Sequence, residues 1–201
     1  PMINLCSDAA DVPWHKVLRH YKNRGCFDLQ VSIDGAKDAP VDLATLTPVS
    51  PLLFDDKNME RDIRCGFSGT VGRWNRRSEI INSLEWFGGL TVGRREKQIG
   101  YTEHVSFMKR CRILLNISVT GTGLANHIKG RVLEAGWAGC ALLEDADSPI
   151  GEWFPKDCYF SYSDPVQAKE MISDLDDKSI MERAKRLSEE VRSRFHPKMI
   201  Y

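Results

Sequence analysis

Short, unbroken apolar runs rich in β-branched residues recur along the chain, separated by segments with helical ends, and this alternation constrains the fold more than any other feature. The runs are INLC (Ile3 to Cys6), LQVSI (Leu29 to Ile33), CGFS (Cys65 to Ser68), LTV (Leu90 to Val92), ILLNI (Ile113 to Ile117), CALL (Cys140 to Leu143) and CYFS (Cys158 to Ser161). A strand wetted on one side alternates apolar and polar residues, whereas continuous apolar runs suit strands covered on both faces. Each run is too short for a buried helix of ordinary length.

The intervening segments carry helix boundaries. Pro13 to Asn23 ends near Gly25, and Arg76 to Phe87 has Asn75 as its cap and Gly88-Gly89 as its stop. Thr102 caps a helix running to Arg110, with Glu103 in its first turn; Asp164-Pro165 is a cap followed by proline at the first helical position; Ser179 and Glu182 form a capping box. Strand alternating with helix predicts an α/β fold with a doubly wound parallel sheet.

The rhythm fails from Val41 to Asn58, where Pro48 and Pro51 interrupt a stretch without helical period. That stretch reads as a connector. One β-α-β unit precedes it, too little to cover both faces of a sheet, while about five strands follow. Residues 1–57 therefore read as the remnant of a preceding domain plus linker, and residues 58–201 as a complete ligand-binding domain.

Charge narrows the functional classes. Lys+Arg 28 balance Asp+Glu 28, which argues against a nucleic-acid or membrane-surface binder, since both usually need a basic excess. Val166 to Phe195 is highly charged but mixed in sign, as expected of solvated helices packed by one stripe. The six cysteines show no CxxC or His-paired spacing, so free buried thiols are expected and no metal site. With no leader-like N-terminus and no run of roughly 20 apolar residues, the expectation is a soluble, cytoplasmic protein.

In an open parallel sheet, ligands bind where strand carboxyl ends feed helix N-termini. Two such loops have unusual composition. In GFSGTVGRWNRR (Gly66 to Arg77), Gly69 and Gly72 permit close backbone approach, and Arg73, Arg76 and Arg77 can neutralise phosphate, although the loop is neither a Walker loop nor GxGxxG. In SVTGTGLANHIKGR (Ser118 to Arg131), a helix is expected to start near Asn126 or His127, placing Lys129 and Arg131 in its opening turn. Cations there oppose the helix dipole, so either an anion offsets them or an exposed basic pair is tolerated.

Glu134, about one turn further on, can hold adjacent ribose hydroxyls or pair with Arg131 or Lys129. The small residues Ala135, Gly136, Ala138, Gly139 and Cys140 are expected to let this helix lie close to the sheet. His127 can donate to a phosphate or a sugar hydroxyl. No Ser-His-Asp or Cys-His set stands out, and His104 has no evident partner.

The stretch YTEHVSFMKRCRILLNISVTGTGLANHIKGRVLEAGWAGCALLED, followed by SPIGEWF and YFSYSDPVQAKEMI, resembles glycosyltransferases of the GT-B fold, with spore-maturation-protein-like members the nearest in pattern. The resemblance covers Ile63 to the C-terminus and extends loosely upstream. It implies a Rossmann-like domain that binds a nucleoside-diphosphate sugar donor without a metal or other cofactor, transferring the sugar to an unidentified acceptor. Carried over, Glu134 resembles the ribose-gripping glutamate. Lys129 and Arg131, with Arg73 and the Gly69-Thr70 backbone, resemble the diphosphate set, and Ile99 to Tyr101 falls where the base lies.

Many retaining members place a further glutamate on the sugar, and here that position is Asn126. No catalytic group is assigned. The alternatives are a non-catalytic nucleotide-binding or partner-binding domain, with association through the N-terminal region, and a different doubly wound enzyme using the Gly69 loop for another phosphorylated ligand.

Overall fold

The computed structural model describes residues 1–54, 59–69, 71, 76–93 and 100–196. The expected boundary at 57/58, the Asn75 cap, Thr70, Gly72, Arg73 and Ile99 lie outside these residues.

The chain forms an α/β architecture with two parallel sheets. The first contains β1 (Ile3–Cys6), β2 (Leu29–Ser32) and β3 (Leu43–Ala44) in that order, with α1 (Val12–Arg24) crossing from β1 to β2. Gly25 ends α1 in the left-handed conformation. β3 lies inside the segment Val41 to Asn58, expected to be a connector, and adds a short parallel pairing to it. Pro51 opens a short 3-10 turn (Pro51–Phe54), and the segment is tied down as Thr47 donates to the Ile33 carbonyl at 2.8 Å. Further along, Leu46, Val49 and Phe54 enter the core of the second sheet.

That second sheet has five parallel strands in the order β5-β4-β6-β7-β8. They are β4 (Ile63–Phe67), β5 (Thr91–Val92), β6 (Cys111–Leu115), β7 (Ala141–Asp145) and β8 (Phe160–Tyr162). The helices between them are α2 (Arg76–Trp86), α3 (Tyr101–Arg110) and α4 (Arg131–Ala138), and α5 (Pro165–Asp174) and α6 (Asp177–Arg194) follow β8. One apolar cluster joins Leu114 and Leu142 to α3, α4 and α6; the other joins Ile113, Leu115 and Leu143 to α2 and α5. Both faces of β6 and β7 are thus dry, which explains their unbroken apolar runs.

Three helix boundaries differ from expectation. α3 starts at Tyr101, with the Gly100 N–H donating to the Glu103 carboxylate at 3.2 Å. α6 is capped by Asp176, whose carboxylate accepts from the Ser179 backbone and hydroxyl at 2.9 and 2.7 Å, so Ser179 lies inside the helix. α4 begins at Arg131, not near Asn126 or His127. The backbone before it is spent on other bonds: Thr120 N–H donates to Ala125, and His127 N–H to Ser118, holding 126–128 extended. Lys129 therefore precedes the helix. The cap at Asp164, by contrast, lies as expected, accepting from the Val166 and Gln167 N–H groups.

The small residues of α4 serve a second contact besides the one expected. A Cβ at Gly136 would sit 2.5 Å from Val191 Cγ2 and 3.3 Å from the Leu187 carbonyl, so at this glycine the close approach is to α6, while Ala135, Ala138 and Cys140 share the apolar cluster of Leu114 and Leu142. No helix among the described residues is long and apolar enough to cross a membrane.

Candidate functional site

The crossover from β4 leads to β5 on one side, and the next leads back to β6 on the other, so the topological switch point lies between β4 and β6. In such sheets the crevice beyond the strand carboxyl ends at this point receives ligands. Here it receives Ser68 and Gly69 after β4, Asn116 after β6, and the start of α4.

Glu134, on the first turn of α4, faces α3. Tyr101 donates to its Oε1 at 2.9 Å, and His104 lies 3.4 Å from its Oε2. A carboxylate only accepts, so the histidine Nε2 carries a proton, and its Nδ1 is in contact with the Ser68 hydroxyl. Burial alone would raise the Glu134 carboxyl, yet the His104 bond and charge, Arg131 and Tyr101 hold it below its ordinary value. The link to α3 takes the place of the alternative considered for Glu134, an ion pair with Arg131 or Lys129. Sequence reading missed His104, although it stands three residues beyond Tyr101 on the same helical face.

Arg131 lies beneath the Gly69 loop. Its guanidinium carbon is 5.0 Å from the Phe67 ring centroid, and its Nη1 reaches Asn116 Oδ1 at 3.4 Å. A Cβ at Gly69, whose φ is +150°, would fall 2.7 Å from Nη2, so any side chain there displaces the cation. Burial depresses the guanidinium, Arg77 adds to that, and Glu134 and Glu144 oppose it.

Lys129 sits alongside. Burial, with the charges of Arg77 and Arg131, brings its amine down to about 8, against the pull of Asp8 and Asp34. Lys129, Arg131 and Arg77 thus converge closely enough to repel one another, which is the electrostatics of an anion site. Arg77 also donates to the Val119 carbonyl at 3.1 Å. Arg76 is committed elsewhere, to Asp145 at 3.0 Å and Asp147 at 2.8 Å, rather than pointing at a ligand.

His127 differs from its expected role. It is buried, and its ring nitrogens face Asp34 and Lys129 instead of open space. Asn126 turns its Oδ1 to the Ser118 hydroxyl at 3.0 Å. It also borders a cavity of about 340 Å³ lined by Arg77, Thr120, Gly121 and Gly123. The structure therefore brings Gly69, Tyr101, Arg131 and Glu134 together, with Lys129 beside them and Asn126 and His127 behind.

The family model described as Glycosyl transferase-like matches residues 52–199. No curated protein matches by sequence. Among solved structures, HepE of Anabaena in complex with UDP and glucose superposes with a TM-score of 0.68 at 10% identity, over 98% of this chain and 68% of that one. Sucrose-phosphate synthase from Thermosynechococcus elongatus gives 0.64 at 10% identity, over 98% and 64%. The T4 phage BGT mutant in complex with UDP-glucose gives 0.59 at 11%, over 95% and 68%. At such identities the likeness is one of fold.

Proposed function

The chain belongs to the Glycosyl transferase-like family, and from that membership we propose that it binds a nucleoside-diphosphate sugar at the β4/β6 switch point and transfers the sugar to an acceptor. The observation that carries this reading is the convergence of Lys129, Arg131 and Arg77 beside the carboxylate of Glu134. Cations suit a diphosphate, and an ionised carboxylate with further acceptor capacity suits a ribose diol. Residues 58–201 form the donor-binding domain in this reading, and Tyr101 lies at the base end.

Transfer leaves negative charge on the departing diphosphate. Preorganised cations in a partly dry crevice stabilise that charge without reorganising, and they do so here in place of a metal ion. The UDP and UDP-glucose in the HepE and T4 phage BGT structures support a donor of this class. Isothermal titration with UDP, GDP, ADP and dTDP sugars tests it. One of them binds, and Glu134→Ala weakens that binding at least on the order of tenfold, a loss typical of hydrogen bonds to a charged group. No binding by any of the four, or an unchanged Glu134→Ala, sinks the reading.

A second reading, donor binding without transfer, is favoured by one feature. Asn126, uncharged and bonded to Ser118, stands where a sugar-contacting glutamate would be expected. Saturable nucleotide binding with no released sugar or glycosylated product distinguishes it.

A further inference from the structure

One buried acid beside the first sheet reaches across to the segment between β6 and α4. Asp34, just beyond β2, is 2% exposed, yet its carboxylate accepts four hydrogen bonds. The Ser32 hydroxyl and Ala36 N–H reach Oδ1 at 2.5 and 3.4 Å, and the Ala10 N–H and His127 Nδ1 reach Oδ2 at 3.2 and 3.1 Å. Its backbone carbonyl accepts from the Ile128 N–H at 3.0 Å. His127 is 5% exposed, and its second nitrogen, Nε2, is in contact with the Lys129 amine.

These partners dictate the proton positions. A carboxylate has only acceptors, so Nδ1 of His127 must donate; an ammonium has only donors, so Nε2 must accept. The neutral imidazole with its proton on Nδ1 satisfies both. The opposite tautomer would set an N–H against an ammonium.

We propose that Asp34 and His127 are positioning residues for diphosphate binding: Asp34 fixes the tautomer of His127, whose Nε2 then holds the Lys129 ammonium at the phosphate end of the site. The chain Asp34–His127–Lys129 acts through Lys129, which lies outside α4 and has no helix to orient it. It also makes the N-terminal sheet part of the donor site. Lys129 needs such a device because Arg77 and Arg131 push it away, while the nearby acids are Asp8 and Asp34. The inference rests on the donor-binding reading for its ligand, but its internal geometry can be read without one.

The experiment uses the full chain with isotope-labelled histidine. Imidazole NMR of the wild type shows His127 neutral and protonated on Nδ1, and Asp34→Asn shifts it toward the other tautomer while backbone signals of the five-stranded sheet stay in place. Affinities are then measured for whichever of UDP, GDP, ADP and dTDP the wild type binds, and for its parent nucleoside. Asp34→Asn weakens the diphosphate on the order of tenfold and leaves the nucleoside unchanged, and in a Lys129→Met background it costs nothing further.

Should Asp34→Asn fail to fold, His127→Leu and His127→Gln replace it. Leucine loses the acceptor and the affinity, and glutamine, which keeps an acceptor, recovers most of it. A wild-type proton on Nε2, equal losses for nucleoside and diphosphate, additivity with Lys129→Met, or equal behaviour of the leucine and glutamine variants overturns the proposal. If none of the four diphosphates binds, the donor reading fails and the phosphate-directed role falls with it, while the NMR still decides whether Asp34 sets the tautomer.

Discussion

The two sheets are built from similar sequence and buried very differently. INLC in β1 and CRILL in β6 are both short apolar runs, yet Ile3 and Leu5 are 55% and 64% exposed while Ile113, Leu114 and Leu115 are 0% exposed. The five-stranded sheet has apolar helices on both faces; the three-stranded sheet has a small cluster of Ala9, Leu18, Ala36 and Ala39 under α1. An unbroken apolar run therefore states that a strand can be covered on both sides. What covers it is decided by the elements around it.

Their buried carboxylates contrast as well. Asp34, at the end of β2, has four hydrogen-bond donors, and although burial would raise it, His127, Ser32 and Ala10 hold it below the usual range. Glu144, in β7, is fully buried, with Asn116 donating at 2.8 Å to one oxygen while the other has no hydrogen-bond partner among the described residues. Burial pushes Glu144 up to about 7. Ionisation of both acids is opposed by burial, and the one with more donors against it stays below its ordinary value.

The comparison can be broken most decisively at the center of the larger sheet. Leu114→Ala should cost about 3–4 kcal/mol in urea unfolding, the ordinary range for a leucine truncated in a full core. A cost below about 1 kcal/mol would contradict the two-sided burial of β6. Next in size, Gly136→Ala should cost about 1–3 kcal/mol, because the new methyl group meets Val191 and a backbone carbonyl of α6, and Val191→Ala should recover part of it.

The acids give a smaller, pH-dependent effect. Glu144 binds its proton more tightly folded than unfolded, so stability falls as pH rises from about 4.5 to about 7 and is flat above, and Glu144→Gln should remove that slope. Asp34 has the opposite sign: its contribution is present above the unfolded carboxylate value and lost as pH falls through its lowered folded value. Urea midpoints from strongly acid to neutral pH, with and without Glu144→Gln, separate the two. The smallest expected effect is Leu5→Ala, within about 0.5 kcal/mol in the same assay; a loss matching Leu114→Ala would show that β1 is covered in solution.

Much of this molecule was legible locally. The apolar runs located the strands to within a few residues, the cap at Asp164 and the stop at Gly25 stood where their chemistry places them, and the family resemblance carried the fold and the class of activity. Local pattern also suggested Lys129, Arg131 and Glu134 as a group. It misplaced the start of α4, because the bonds that hold 126–128 extended run to Ser118 and Asp34 rather than along the helix axis.

What the sequence by itself determined was the order of strands and helices, since apolar period and capping chemistry are written in neighbouring residues. Only the tertiary structure decided the two hydrogen-bonded chains that shape the site. Ser68, His104 and Glu134 are separated by 36 and 30 residues, and Asp34 and His127 by 93, so nothing in any local window marks them as partners. Each pairing exists because helix packing brings α3 against α4 and because the segments after β2 and β6 meet. There, side chains far apart in sequence meet out of water and must satisfy one another.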